Sequence, residues 1–154
     1  MMTVGETVAL IAARLQPLAG IEAVPLAEAD GRILAADLVA PMPLPPFANS
    51  AVDGYAIRSA DLPQESERRF SVSGRVQAGT RSNEAVQPGE AARIFTGAPM
   101  PGGADTVFMQ EDVRVEPDGA VLLPAGLKPG ANMRPAGEDV ATGAVVLRSG
   151  RRLR

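Results

Sequence analysis

The sequence has no histidine, cysteine or tryptophan among its 154 residues, and it has a single tyrosine, Tyr55. Without histidine, the chain cannot form a Ser-His-Asp or Cys-His nucleophile system, and it lacks the commonest metal ligand. Without cysteine, a disulfide framework and a thiolate metal site are both excluded. Chemistry on this chain therefore uses carboxylates, hydroxyls, guanidinium groups and backbone amides, and a hard cation such as Mg²⁺ suits those oxygen ligands.

Charge and hydropathy exclude further classes of protein. The formal net charge is −3 and the pI is about 5.0, whereas a nucleic-acid binder carries a basic stripe. No apolar run approaches the roughly 18–20 residues of a membrane span, and the N-terminal MMTVGETVAL lacks the basic start of a signal peptide. The arginine-rich RSGRRLR has no interleaved aromatic residues, which favours a solvated strand over a binding surface. We therefore expect a cytoplasmic globular protein without nucleic-acid or membrane partners.

The chain changes from a helical to a β pattern along its length. A capping box of Thr3 and Glu6, followed by apolar residues at spacings of four, three and four, predicts a helix over residues 4–16 that Pro17 ends. The proline-rich segment 41–46 lacks backbone donors, so we expect an extended connector there. Beyond it, short alternating apolar runs separated by Gly and Pro pairs predict strands.

The predicted fold class is mainly β with an N-terminal helix (α+β), and its β-rich part forms a coiled or barrel-like domain. The predicted domains are a helix and linker subdomain over residues 1–44, a β-rich domain over 45–140 and a return towards the N-terminal subdomain over 141–154. AEAD is predicted to form one helical turn, and VRVEPDGAVLL to form a hairpin around Asp118-Gly119. The other predicted strands are IEAVPL, the second half of RILAADLVA, VDGYAI, RRFSVSGRV, AARIFTG, DTVFMQEDVRV, AVLL and GAVVL.

Three motifs hold the residues suited to chemistry, and each also has a purely structural interpretation. In PPFANSAVDGYAIR, Asp53-Gly54 is typical of a hairpin turn as well as of an exposed carboxylate. IFTGAPMPGGADTVFMQEDV is rich in glycine and proline but lacks the spacing of a P-loop or a Rossmann motif. In LKPGANMRPAGEDVATGAVVLRSG, Arg134 and Glu138 are spaced for an exposed ion pair worth under about 1 kcal/mol.

Together and in this order, the three motifs resemble the N-terminal half of the MoeA family. These proteins are the molybdopterin molybdenumtransferases of molybdenum-cofactor biosynthesis, and they are related to the C-terminal domain of gephyrin. The similarity extends back through VPLAEADGRILAADLVAP and covers essentially the whole chain. The chain departs from the family at Ala48, where an acidic residue is usual, and at Val52, where methionine is usual. Neither departure removes a candidate reactive group.

The resemblance implies a function for the longer protein to which we expect this chain to belong. The family inserts molybdate into adenylylated molybdopterin with a divalent cation, Mg²⁺, and releases AMP. It acts as a homodimer with composite clefts, and the molybdopterin-adenylylating protein of the same pathway is an implied partner. We expect this portion to be inactive alone, and a non-catalytic dimerisation or scaffold module of the same family is the alternative.

The same resemblance assigns roles to residues of the three motifs. The implied catalytic residues are Asp53, which is also the implied metal ligand, and Thr96. The implied substrate-binding residues are Ser50, Gly97, Arg134, Glu138 and Asp139.

Overall fold

The computed structural model describes residues 2–16, 20–80 and 85–154 of the chain. They form two compact units, one made of residues 1–38 with 147–154 and the other of residues 39–146. These units divide between Leu38 and Val39 and between Val146 and Leu147, whereas the sequence-based domain boundaries at 44/45 and 140/141 stay a prediction. No helix in the described part of the chain has the length and apolar character needed to cross a membrane.

The first unit begins with helix α1 (Val4–Arg14). The predicted capping box is confirmed, because the Thr3 hydroxyl accepts from the Glu6 amide at 3.2 Å and the Glu6 carboxylate accepts from the Thr3 amide at 2.7 Å. The helix ends at Arg14, earlier than the predicted residue 16, and Pro17 lies outside the described residues.

The remainder of this unit is held by backbone pairing between residues 31–34 and 150–153. The Leu34 amide donates to the Arg151 carbonyl at 2.9 Å, and the Gly31 amide donates to the Leu153 carbonyl at 3.0 Å. Residues 26–28 form one 3₁₀ turn, overlapping the turn predicted at AEAD. The strand predicted for IEAVPL is wrong: residues 21–25 are neither helix nor strand, and Ile21 is 84% exposed.

The second unit contains a six-stranded sheet in the order β6-β3-β5-β4-β8-β7, which curls into a half-barrel. The pair β4–β5 is parallel and the other neighbours are antiparallel. The predicted mainly β class with an N-terminal helix is confirmed. The described residues also contain two two-stranded sheets, β1-β10 and β2-β9. The strands are β1 (Leu38–Val39), β2 (Asn49–Ser50), β3 (Gly54–Ile57), β4 (Arg68–Val76), β5 (Glu90–Ile94), β6 (Thr106–Met109), β7 (Arg114–Val115), β8 (Val121–Leu123), β9 (Met133–Arg134) and β10 (Val145–Leu147).

Several predicted strands coincide with observed ones. RRFSVSGRV matches β4 residue for residue, and VRVEPDGAVLL forms the β7–β8 hairpin, in which Val115 pairs with Val121. DTVFMQEDVRV divides into β6 and β7, with a 3₁₀ turn at residues 110–112 between them. The core of the sheet consists of side chains with no more than 1% exposure, among them Ile57, Phe70, Val76, Ile94, Val107, Val121 and Leu123.

The proline segment 41–46 is not extended throughout, which corrects the prediction. The chain bends at residues 41–42 and 45–47, and between these bends Leu44 forms an isolated bridge with Val140. The Gly137 amide also donates to the Pro45 carbonyl at 2.9 Å. Prolines have carbonyl acceptors but no amide donors. The conformation of this segment therefore depends on residues elsewhere in the chain that donate hydrogen bonds to it.

The backbone of Gly54 lies very close to a neighbouring strand of the sheet. It begins β3 and pairs with Ile94 of β5 on one side and Met109 of β6 on the other. A Cβ atom at this position would lie 1.8 Å from the carbonyl oxygen of Phe108, a distance that no side chain tolerates. Glycine is therefore required here for close packing of two strands.

We predict that Gly54→Ala lowers the free energy of unfolding by about 3 kcal/mol or more, because the added methyl group forces the backbones of β3 and β6 apart. Gly74→Ala is the matched control: Gly74 lies in β4, and a Cβ there meets nothing within 4 Å. The control should change the stability by less than about 1 kcal/mol. Urea unfolding of the three proteins measures both effects, and equal midpoints for the two variants would contradict the assigned contact.

Candidate functional site

The three sequence motifs converge in the second unit through backbone hydrogen bonds. Strand β2 of the first motif pairs with β9 of the third, so that Asn49 lies opposite Arg134. The same strand meets the second motif, because the Ser50 amide donates to the Ala98 carbonyl at 3.0 Å. Motifs that are far apart in sequence therefore form one local surface around residues 48–53.

Asp53 and Thr96 form the central polar contact of this surface. One oxygen of the Asp53 carboxylate, Oδ1, accepts from the Thr96 amide at 2.8 Å and from the Thr96 hydroxyl at 2.7 Å. Strands β2 and β3, on either side of Asp53, pair with different partners. Asp53-Gly54 is therefore not a hairpin turn, and the carboxylate instead joins two distant segments.

The loop after β5 presents Thr96 to that carboxylate. The Ala98 amide donates to the Phe95 carbonyl at 2.9 Å, which closes a four-residue turn with Thr96 and Gly97 at its centre. Gly97 has φ +76°, a left-handed conformation that favours glycine. This turn directs both the amide and the hydroxyl of Thr96 towards one oxygen of Asp53.

The environment of Asp53 stabilises its charged form. The hydrogen bond from the Thr96 amide, followed by that from its hydroxyl, lowers the pKa of the Asp53 carboxyl. Desolvation opposes this effect, and the positive charge of Arg93 adds a smaller lowering of the pKa. The carboxylate is therefore ionised at neutral pH. None of the described residues donates a hydrogen bond to the second oxygen, Oδ2, so this oxygen is available to a ligand.

Arg134, Glu138 and Asp139 form a second charged cluster. The Arg134 guanidinium donates through Nη2 to both oxygens of Asp139, at 2.7 and 2.8 Å, and through Nε to Glu138. The hydrogen bonds that Arg134 donates to Glu138 and Asp139 raise the pKa of Arg134 further. One positive and two negative charges give this partly exposed cluster a net charge of about −1.

Two predicted binding residues have contacts of another kind. The Ser50 side chain is fully buried, and its hydroxyl donates to the Val52 carbonyl at 2.6 Å and accepts from the Val52 amide at 3.3 Å. The Gly97 amide donates to the Ser50 carbonyl at 2.8 Å. In this structure, neither the Ser50 hydroxyl nor the Gly97 amide is a free donor, and both instead shape the backbone around Asp53.

Two residues that sequence reasoning missed, Arg93 and Gln110, border the Asp53–Thr96 contact. The Arg93 guanidinium donates to the Gly54 carbonyl at 2.8 Å and to the side chain of Gln110. The Gln110 amide donates to the Asp53 carbonyl at 3.0 Å. The only sequence signal was the spacing of two residues between Arg93 and Phe95, which places both side chains on one face of an extended chain.

Comparison with known proteins finds relatives that match nearly the whole chain. Residues 2–154 match the family profile described as the MoeA N-terminal region, domains I and II. A molybdopterin molybdenumtransferase of Haemophilus influenzae is 44% identical over 128 residues, which are 83% of this chain and 31% of the relative. One of Synechococcus elongatus is 43% identical over 141 residues, which are 89% of this chain and 34% of the relative.

The fold also matches a solved structure. A crystal structure of a molybdopterin biosynthesis moeA protein from Pyrococcus horikoshii superposes with a TM-score of 0.80 at 43% identity, covering 86% of this chain and 36% of the other. The chain thus spans about a third of the length of the relatives it matches.

We predict that Thr96→Ala raises the pKa of the Asp53 carboxyl towards its ordinary value, because the variant loses the hydroxyl donor and keeps the amide. A group whose pKa is lowered by folding adds stability above its unfolded pKa, and this stability is lost as the pH falls through the folded pKa. The stability difference between wild type and Thr96→Ala should therefore be largest near neutral pH and shrink in acid. Carbon-13 titration of the carboxyl and urea unfolding at several pH values measure the two effects.

Thr96→Ser is the control for this titration, because serine keeps both donors. It should retain the low pKa of Asp53. A Thr96→Ala protein whose Asp53 titrates as in wild type would show that the hydroxyl contact is absent in solution.

Proposed function

The chain belongs to the MoeA family, and from this premise we propose that it is the N-terminal part of a molybdopterin molybdenumtransferase. The proposed reaction inserts molybdate into adenylylated molybdopterin and releases AMP. The observation that carries the proposal is the Asp53 carboxylate, which is ionised, held at one oxygen by Thr96 and available at the other.

The chemistry of this contact suits cleavage of a phosphoanhydride linkage. Such reactions depend mainly on positioning and on the control of charge, so a site without histidine is adequate. We assign Asp53 to orient the attacking oxygen or a cation through Oδ2. We assign Thr96 to hold the carboxylate in that orientation, since its hydroxyl and amide both donate to Oδ1. Thr96 thus acts through Asp53 in this proposal, and the resemblance implied it only as a catalytic residue.

The donor set fits a loosely held Mg²⁺ ion. Magnesium is commonly bound through one or two carboxylates together with substrate phosphates and water. Asp53 Oδ2 supplies one such oxygen, and the described residues include no group of three or more acidic or histidine side chains suited to a metal. A bound Mg²⁺ would neutralise phosphate charge, while Asp53 would hold it against the substrate.

The cluster of Arg134, Glu138 and Asp139 is the proposed binding element for the donor groups of the pterin. The Arg134 guanidinium already donates to the carboxylates of Glu138 and Asp139. These carboxylates retain lone pairs that can accept from amino groups of a ligand. We assign Ser50 and Gly97 indirect roles, since they shape the loop that carries Asp53 and Thr96.

The composite cleft also belongs to the proposal. This chain corresponds to about a third of its relatives, so the other side of the cleft is expected from the remaining two-thirds or from a second subunit. We further propose a cytoplasmic homodimer that receives adenylylated molybdopterin from the adenylylating protein of the same pathway.

We predict that Asp53→Asn lowers turnover by about a hundredfold or more, because asparagine keeps the shape and the Thr96 contacts but removes the charge. The assay requires a full-length chimera in which this chain replaces the matching segment of the Haemophilus influenzae relative. AMP release from adenylylated molybdopterin with molybdate and Mg²⁺ measures turnover, and thermal unfolding measures stability, which should change little.

The isolated chain is the control for this assay and should release no AMP above background. Turnover by the Asp53→Asn chimera within about threefold of wild type would refute the catalytic assignment of Asp53. Turnover by the isolated chain would show that the site is complete within these 154 residues.

A second candidate function, a non-catalytic dimerisation module, is favoured by the exposed apolar stripe of α1. Its members lie on one helix face, and none is buried: Val4 is 82% exposed, Val8 60%, Ile11 54% and Leu15, at the C-cap, 68%. A surface of this kind on a soluble protein commonly marks a contact with another protein. A second copy of the chain is the proposed occupant.

We predict that Val8→Glu lowers the affinity of self-association of the isolated chain at least about tenfold, because a charge is buried in the apolar contact. Ala13→Glu adds the same charge on the opposite face of α1 and should leave association unchanged. Sedimentation equilibrium measures both variants. A wild-type chain that is monomeric at all accessible concentrations would contradict self-association through this helix.

A further inference from the structure

Arg93 contacts the backbone next to Asp53 directly, and it reaches the Asp53 carbonyl through Gln110. Its Nη1 donates to the carbonyl of Gly54, the next residue in the chain, at 2.8 Å. Its Nη2 donates to the Gln110 side chain, and the Gln110 amide donates to the Asp53 carbonyl at 3.0 Å. The guanidinium therefore connects the start of β3 with the segment that follows β6.

Arg93 is also held by aromatic rings. Its guanidinium carbon lies 5.2 Å from the centroid of Tyr55, its cross-strand partner, and 4.6 Å from the centroid of Phe95. Phe95 directly precedes Thr96 and begins the turn that presents it. A planar guanidinium that stacks and donates at the same time has one strongly preferred orientation.

We propose that Arg93 is a positioning residue, which holds the Asp53 backbone and the Thr96 turn at the separation at which both Thr96 donors reach one carboxylate oxygen. Its contacts with Gly54 and Gln110 fix the Asp53 side, and its stacking on Phe95 fixes the Thr96 side. Arg93 acts through these groups, since no ion pair within 4.0 Å joins it to Asp53 among the described residues. Its effect on turnover rests on the proposed function, whereas its effect on geometry does not.

Arg75 provides a matched comparison on the same face of the sheet. It lies beside Arg93 in the β4–β5 register, and its guanidinium lies 4.7 Å from the centroid of Phe95. None of its hydrogen bonds in the described part of the chain reaches Gly54 or Gln110. Removing Arg75 therefore tests stacking on Phe95 alone, and removing Arg93 tests stacking and positioning together.

The test follows the Thr96 amide resonance of the isolated chain through a pH titration by NMR. In wild type, this resonance should shift as Asp53 ionises, because the amide donates to the carboxylate. Asp53→Asn should abolish the shift, which assigns it. In Arg93→Met, the amplitude should fall below about half, since hydrogen bonds weaken steeply with misalignment. The midpoint should also move to higher pH, in part because the variant loses the positive charge that lowers the pKa of Asp53.

The control variants separate positioning from charge and from packing. Arg75→Met should titrate as wild type. Arg93→Lys should restore only part of the amplitude, because lysine keeps the charge but lacks the planar fork. Gln110→Met removes one of the two hydrogen-bond contacts of Arg93 that fix the Asp53 side and keeps the residue size, so it should give an intermediate amplitude. This variant replaces Arg93→Met in the test if Arg93→Met does not fold.

Two results would overturn the proposal. One is a wild-type titration of the Thr96 amide in a folded Arg93→Met or Gln110→Met protein. The other is an equal loss in Arg75→Met, which would reduce the role of Arg93 to packing on Phe95.

In the full-length chimera, Arg93→Met should lower kcat roughly tenfold or more with little change in KM, since small misplacements of reacting groups carry such costs. Arg75→Met should leave both constants unchanged. An inactive wild-type chimera together with the expected NMR titrations would reject the proposed function and leave the positioning role intact. If Arg93→Met loses the pH-dependent shift of the Thr96 amide but keeps the wild-type kcat, the proposed link between positioning by Arg93 and turnover is rejected.

Discussion

The close approach of the Gly54 backbone to the Phe108 carbonyl is the contact on which the arrangement of the site depends. It allows β3 to lie between β5 and β6, where all four of its residues are buried. Because β3 begins at Gly54, Asp53 is placed at the point where the buried strand starts. The carboxylate is thus positioned by the packing of the sheet, and the loop that precedes it needs only to be compatible with that position.

Local patterns in the sequence predict those parts of the fold that depend on neighbouring residues. The capping box at Thr3 and the turn at Asp118-Gly119 both follow from short-range chemistry, and both are present. The segment 21–25 shows the limit of this reasoning. Its composition suits a strand, but a strand also needs a partner for its backbone groups, and the composition of a segment does not show whether one is available.

As with the fold, only part of the candidate site could be predicted from the sequence. Asp53 and Thr96 stand out by their motifs, whereas the contribution of Arg93 depends on the register that sets it opposite Tyr55 across two strands. The resemblance implied a ligand-binding role for Ser50, although a hydroxyl in a motif can serve either a ligand or the backbone. Only burial separates these roles, and Ser50 is fully buried. Residue type predicts which chemistry is possible, and long-range packing decides which groups are free to perform it.

The balance of charge at the two polar clusters also bears on what they can bind. Asp53 is stabilised mainly by the neutral donors of Thr96, so that its negative charge is lowered in energy without being cancelled by an ion pair. The Arg134 cluster carries two carboxylates for one guanidinium and is likewise negative overall. Neither cluster therefore suits a bare anion such as phosphate or molybdate. If the ligand is anionic, the compensating positive charge has to come from a bound cation or from residues outside these clusters, which is the physical reason for proposing both Mg²⁺ and a composite cleft.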